Sequence, residues 1–259
     1  MGRVTASGDR ILAVATEAAR AAGDVALKYY RGRFDVTIKS DDTPVTQADR
    51  EAETIIRETI GRAFPDHGFL GEELGAEGNR DVRWIIDPID GTMNFVRHIP
   101  FWAVLIALEE HGAVTAGVML NPVTGDLYCA RRGGGAFANG ERVRVSDIAD
   151  VARSQFLHAG LRLVRETPYW EGFVRLIDGS YRQRGFGDYY GYGLVAEGKA
   201  EIYAESHVKA WDIAAAKIIV EEAGGRFTDL AGNDTVHGGN ALATNGRVHD
   251  EALALLQPR

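Results

Sequence analysis

The chain has 259 residues, 45% of them hydrophobic, enough for one large core or two fused ones. Its 37 acidic against 29 basic residues give a formal charge of −8. That argues against general nucleic-acid or anionic-membrane binding, since either needs a basic face. Cys129 is the single cysteine, so an internal disulfide is excluded. With no signal-like segment in the first residues and no apolar run of membrane-spanning length, the expectation is a soluble, cytoplasmic protein.

Apolar residues from Ile11 to Tyr29 recur at helical spacing and predict an amphipathic helix near residues 9–31. The polar segment Arg31–Pro44, with adjacent Asp41 and Asp42, reads as a mobile loop or a hairpin. Thr46-Gln47-Ala48-Asp49 matches a capping box, with Asp in place of the usual Glu or Gln, and opens a second helix running to Ala63. Strands follow at Arg83–Asp87, Ala103–Leu108, Ala116–Asn121 and Asp126–Ala130, and Asn139-Gly140 signals a hairpin. The glycines of Arg132–Ala136 lack the Lys-Ser/Thr of a phosphate loop and predict a tight turn. Beyond Asp150, extended stretches at Gln155–Ala159, Tyr181–Arg184 and Ala200–Ala204 alternate with helical ones at Pro168–Ile177, Asp188–Glu197 and Asp212–Ala223. Gly224-Gly225 closes the last of these. The pattern is that of an α/β or α+β layered fold.

The chemistry concentrates in one run. Trp84-Ile85-Ile86 leads an apolar strand into Asp87-Pro88-Ile89-Asp90-Gly91-Thr92. Two carboxylates appear three residues apart with a proline stiffening the link, and Gly91-Thr92 reads as the start of a helix. Carboxylates suit a hard cation, and free N–H groups at a helix start suit an anion. A divalent metal and a phosphate are the natural guests. Gly71-Glu72-Glu73 precedes the run, and Trp211-Asp212, read as a buried step, follows far downstream.

These three segments, in this order and spacing, resemble the inositol monophosphatase family, over roughly Lys39 to Gly225. The resemblance implies one domain over residues 1–259, an αβαβα sandwich of two packed halves (about 1–148 and 149–259), with the active site between them. It implies a lithium-sensitive, Mg²⁺-dependent phosphomonoesterase with two or three Mg²⁺ per site, acting on a small phosphomonoester as a homodimer. Carried over residue by residue, Glu72, Asp87 and the Ile89 carbonyl would hold one metal. Asp87, Asp90 and Asp212 would hold a second. Gly91 and Thr92 would bind phosphate. Glu72, Thr92 and Asp49 would handle the attacking water and its proton. Met93, where Lys or Thr is common in the family, is expected to point away from the phosphate.

Substrate is a separate question, because the family contains several classes. Thr43-Pro44-Val45-Thr46, the stretch Asn94–Ala103 and Arg184-Gly185-Phe186-Gly187-Asp188 lean toward the histidinol-phosphate branch, with inositol monophosphatase or a broad small-ester phosphatase as the alternative. A substrate carrying an ammonium calls for carboxylates. Asp188 and Glu205 are the candidates, with Arg184 and Gly187 shaping the segment. Tyr189, Tyr190 and Tyr192 read first as core aromatics, and Cys129 as a buried small residue in a strand.

Overall fold

The computed structural model describes residues 6–32, 36–38 and 44–258. The readings placed on Asp41, Asp42 and Thr43, and on the Thr46 side chain, lie outside the described residues. In chain order the elements are α1 (Ala6–Arg31), β1 (Val36–Ile38), β2 (Pro44–Thr46), α2 (Gln47–Ala63), β3 (Gly68–Gly71), β4 (Gly75–Glu77), β5 (Val82–Asp90) and α3 (Thr92–Val96). Then come β6 (Ala103–Glu110), β7 (Ala113–Leu120), β8 (Leu127–Arg131), β9 (Gly135–Ala138) and β10 (Glu141–Val143). The remainder comprises β11 (Gln155–His158), α4 (Leu161–Arg165), α5 (Trp170–Gly179), β12 (Arg182–Arg184), α6 (Asp188–Ala196), β13 (Ile202–Ser206), α7 (Ala210–Glu222), β14 (Arg226–Thr228), β15 (Asn240–Thr244) and α8 (His249–Leu256).

Strands β3 to β10 form an eight-stranded sheet in the order β10-β9-β8-β7-β6-β5-β3-β4. A second, five-stranded sheet runs β12-β11-β13-β15-β14. Residue parity along the strands defines the layers, because successive side chains point to opposite faces. On β5, Trp84 and Ile86 pack with Ala18, Ala22, Ile56 and Ile60 of α1 and α2. Ile85 packs on the other side, with Tyr192 of α6 and Ala214 and Ile218 of α7. The smaller sheet repeats this: Leu157, Tyr203 and Ala243 face α6 and α7, whereas Phe156, Ile202, Ala204 and Leu242 face Phe173 of α5 and Leu256 of α8. The result is five layers, αβαβα, with α6 and α7 covered on both sides. That explains why α7 carries an almost unbroken run of buried residues from Ile213 to Val220.

The Asn139-Gly140 turn joins β9 to β10 with both residues at positive φ, 50° and 85°, as a tight two-residue hairpin requires. In the Arg132–Ala136 segment the N–H groups of Gly133 and Gly135 both donate to the Glu222 carboxylate at 2.7 Å. This loop is a turn latched to α7. Cys129 is partly rather than fully buried and packs against the α1–α2 side; burial pushes its thiol pKa up. Among the described residues, no helix is long and apolar enough to cross a membrane.

Candidate active site

Strand β5 runs between parallel β3 and antiparallel β6. Parity puts Asp87 on the same face as Ile85, toward α7. Pro88 offers no N–H to the ladder, and the pairing with β6 shifts register between Asp87 and Asp90. The Asp87 carboxylate stabilises the break by accepting the Ile89 N–H at 2.9 Å. Asp90 accepts the Tyr189 N–H at 2.7 Å. Gly91 follows at φ 84°, where a Cβ would crowd the Phe101 carbonyl and the Asp188 carboxylate. Thr92 then opens α3, its hydroxyl donating to the Ile89 carbonyl at 3.1 Å. Asp212 arrives from the first turn of α7, where its carboxylate accepts the Lys209 N–H at 2.6 Å. Asp87, Asp90 and Asp212 each present one carboxylate oxygen, and these lie within 4.8 Å of one another. Glu72, partly buried in the turn after β3, lines the same cleft of about 400 Å³.

Six carboxylates line this cleft: Glu72, Asp87, Asp90, Asp188, Glu205 and Asp212. Burial is the main cause of the raised pKa values of Asp87, Asp90, Glu205 and Asp212, and neighbouring carboxylates add repulsion to each. Burial raises Asp87 well above its ordinary pKa, and the charges of Glu72, Asp90, Asp212 and Asp49 add to the effect. Burial likewise raises Asp90, helped by Asp188 and Asp212 and opposed by the Tyr189 N–H. Asp212 is pushed up to about 7 by burial, against the Lys209 N–H that favours its charge. Such a cluster calls for a dication. Its all-oxygen donor set fits a hard cation of the Mg²⁺ or Ca²⁺ type and not a zinc-like one.

The far side of the cleft is built from α3, α6 and β13. Asp188 begins α6 at φ 56°, an uncommon conformation for a residue with a side chain, and accepts the Asn94 amide at 2.9 Å. Asn94 also donates to the Phe101 carbonyl at 2.8 Å. Burial raises the Asp188 pKa, and the Asn94 bond opposes this. Glu205 is buried, with its two oxygens accepting the hydroxyls of Tyr192 at 2.6 Å and Tyr203 at 2.7 Å. Burial pushes it up to about 8 despite these bonds. His207, also at positive φ (63°), lines the mouth with Lys209 and Trp211. Two strained non-glycine residues in one cleft match the tendency of functional sites to hold backbone strain.

The cleft thus brings together Glu72, Asp87, Ile89, Asp90, Gly91, Thr92, Asp188, Glu205 and Asp212. Asp49 is 2% exposed and lies outside the lining, close enough to Asp87 for its charge to act there. Arg184 and Gly187 are not lining residues. Arg184 is exposed and donates to the neighbouring Gln183 carbonyl at 2.7 Å, and Gly187 packs toward Ala159 as the cap of α6. Met93 is a lining residue of the cleft and is 47% exposed. Trp211 and Asp212 are half-buried rather than buried, because the first turn of α7 opens onto the cleft. Tyr189 and Tyr192 are core residues, and Tyr190 sits between the Phe101 and Phe186 rings at 5.0 and 5.8 Å. Asn94, His207 and Lys209 were not foreseen. Asn94 lies one residue past Met93, and its link to Asp188 spans 94 positions of chain that no local pattern reports.

Five alternating layers with a carboxylate-lined cleft beside the middle helices define an α/β sandwich suited to a divalent cation and a small anion. The chain belongs to the inositol monophosphatase family, whose model matches residues 8–258. A histidinol-phosphatase of Mycobacterium tuberculosis is 46% identical over 233 residues, covering 87% of this chain and 90% of that protein. A histidinol-phosphatase of Streptomyces coelicolor is 42% identical over 233 residues, covering 86% and 88%. Among solved structures, the extragenic suppressor protein suhB from Bartonella henselae matches with a TM-score of 0.89 at 34% identity, over 96% of this chain and 98% of that one.

Proposed function

We propose that this chain is a Mg²⁺-dependent phosphomonoesterase that hydrolyses L-histidinol phosphate to L-histidinol and phosphate. The observation that carries the reading is the surplus of carboxylates. Asp87, Asp90 and Asp212 suffice for a metal cluster, yet Asp188 and Glu205 add two more acidic groups to the same cleft. A neutral polyol can engage them only through neutral hydroxyls, whereas a substrate with an ammonium and an imidazole brings charged donors, whose bonds are about twice as strong.

In this reading Glu72, Asp87, Asp90, Asp212 and the Ile89 carbonyl hold the metal, in two or three sites. When bound, Mg²⁺ neutralises phosphoryl charge and lowers the pKa of water. Gly91 and Thr92 face the phosphate at the start of α3. Glu72 accepts a hydrogen bond from the attacking water, Thr92 fixes its direction, and Asp49 receives the threonine proton. Water adds to phosphorus, the P–O ester bond breaks on the opposite side, and the leaving oxygen takes a proton to become the alcohol. Asp188 holds the substrate ammonium. Glu205, clamped by two tyrosines, lines that end of the cleft and fixes their hydroxyls. A cytoplasmic homodimer and lithium sensitivity go with the family pattern.

The test compares kcat/KM for L-histidinol phosphate, inositol 1-phosphate and glycerol 2-phosphate on the same Mg²⁺-loaded preparation. A charge-assisted hydrogen bond of roughly 1.5–3 kcal/mol predicts a preference of about ten- to a hundred-fold for the cationic substrate. A preference for inositol 1-phosphate sinks the assignment and leaves an inositol monophosphatase or a broad phosphatase in its place. Activity that persists in excess chelator removes the metal from the mechanism altogether.

A further inference from the structure

Glu53 lies on α2, wholly buried, and does not line the cleft. Its carboxylate reaches under the turn that follows β3. One oxygen accepts the Glu73 N–H at 2.8 Å and the Leu74 N–H at 3.4 Å. The other accepts Arg57 Nε at 2.8 Å. Arg57 continues past the turn to β4, donating to the Gly75 carbonyl at 2.5 Å and to Glu77 at 3.1 Å. Its guanidinium also covers the Phe69 ring of β3 at 5.3 Å. Gly71 has to be a glycine for this to fit, since a Cβ there would overlap the Glu53 carboxylate. On the opposite side, the Glu72 N–H donates to the Ile86 carbonyl of β5 at 3.2 Å, beside Asp87. The turn that carries Glu72 is therefore held between a buried ion pair and the strand that supplies Asp87.

A buried ion pair is weak evidence for stability, because an apolar replacement of similar volume is often as stable. What this pair supplies is geometry. We propose that Glu53, with Arg57, is a positioning residue that fixes the turn between β3 and β4 so that Glu72 faces Asp87 and Asp212. The proposal rests on the metal-site reading above and adds to it a supporting carboxylate outside the cleft. Removing groups that orient metal ligands typically costs about 10- to 100-fold in metal affinity or activity.

The probe is Mn²⁺, whose binding to the full chain is read by electron paramagnetic resonance, with far-UV circular dichroism confirming the fold of each variant. Glu53→Gln should raise the Mn²⁺ Kd by about tenfold or more. Arg57→Gln should do so in the same direction, and serves alone if Glu53→Gln does not fold. The discriminating measurement is a double-mutant cycle with Glu72→Gln. If Glu53 acts through Glu72, the Glu53→Gln/Glu72→Gln variant binds Mn²⁺ no more weakly than Glu72→Gln alone; additive losses would mean that Glu53 acts on the metal by another route. Unchanged Kd in both single variants, or additive losses in the cycle, overturns the proposal while leaving the metal site standing. A wild-type chain that binds no stoichiometric Mn²⁺ overturns both.

Discussion

The two ends of the cleft are held in place by different means. At the proposed metal end each aspartate of the cluster is oriented by a main-chain N–H: Ile89 on Asp87, Tyr189 on Asp90 and Lys209 on Asp212. At the other end the holding groups are side chains: Asn94 on Asp188, and Tyr192 and Tyr203 on Glu205. A backbone donor survives almost any substitution of the residue that bears it. A side-chain donor disappears with one. The fold therefore fixes the three aspartates of the cluster through its main chain and leaves Asp188 and Glu205 open to change by single mutations. One scaffold can keep its hydrolytic chemistry while its substrate changes, as expected where function resides in sites built on folds.

The largest effect should come from breaking the metal end. Asp90→Asn keeps the shape and the Tyr189 contact but removes charge from the cluster. It should lower kcat by about 10²- to 10³-fold, since a single interaction aimed at transition-state charge is worth roughly 3–4 kcal/mol. The loss should be the same for L-histidinol phosphate and inositol 1-phosphate. Steady-state kinetics at saturating Mg²⁺ decide it, and near-normal turnover would mean that the cluster is not catalytic.

The other end should respond selectively. Asp188→Ala should cut kcat/KM for L-histidinol phosphate by about ten- to a hundred-fold, the value of a charge-assisted hydrogen bond, and barely alter inositol 1-phosphate. Equal losses on both substrates would show that Asp188 supports the site without reading the cation. Asn94→Ala sharpens the point with a smaller effect. It removes one neutral donor from Asp188, at about 0.5–1.5 kcal/mol or roughly 2- to 10-fold on the cationic substrate. In an Asp188→Ala background it should cost nothing further on that substrate. Additive losses would give Asn94 a substrate contact of its own.

The same division governs what could be read from the chain. Asp87, Asp90, Gly91 and Thr92 are local: a strand, a proline and a glycine at positive φ leave a recognisable run of residues. Asp212 was legible only through the resemblance, since a carboxylate in the first turn of a helix is ordinary capping chemistry. The five layers were likewise implied by the family pattern, and the parity of β5, β11 and β13 accounts for them only once the pairing is known. Strands β14 and β15 and helix α8 had no clear local signal; β14 is three residues long and draws its stability from pairing with β15. Glu53 is the plainest case. On the sequence, Glu53 and Arg57 look like a solvent-facing i,i+4 helix pair. The Glu53 carboxylate is buried against Gly71 and the Glu73 and Leu74 N–H groups, contacts that no local pattern reports.

The smallest effect concerns Glu205, where the hold by two tyrosines sets a pH dependence. In the folded, metal-free chain its pKa is raised to about 8, chiefly by burial, against an ordinary value near 4.5. Below the ordinary value both folded and unfolded chains carry the proton, and this group favours neither. Between that value and about 8 the unfolded chain releases the proton while the folded chain keeps it. The folded state then binds more protons, so stability falls as pH rises through this window and levels off above it. Glu205→Gln removes the titration and keeps the volume, with one tyrosine hydroxyl turning to accept from the new amide. Relative to wild type, the variant's Tm should gain nothing near pH 4 and gain progressively as pH rises to 8. Thermal melts of both metal-free proteins across this range test it. A difference in Tm that stays constant with pH would mean that Glu205 is ionised in the folded chain throughout, and that the two tyrosine hydroxyls stabilise its charge more than burial opposes it.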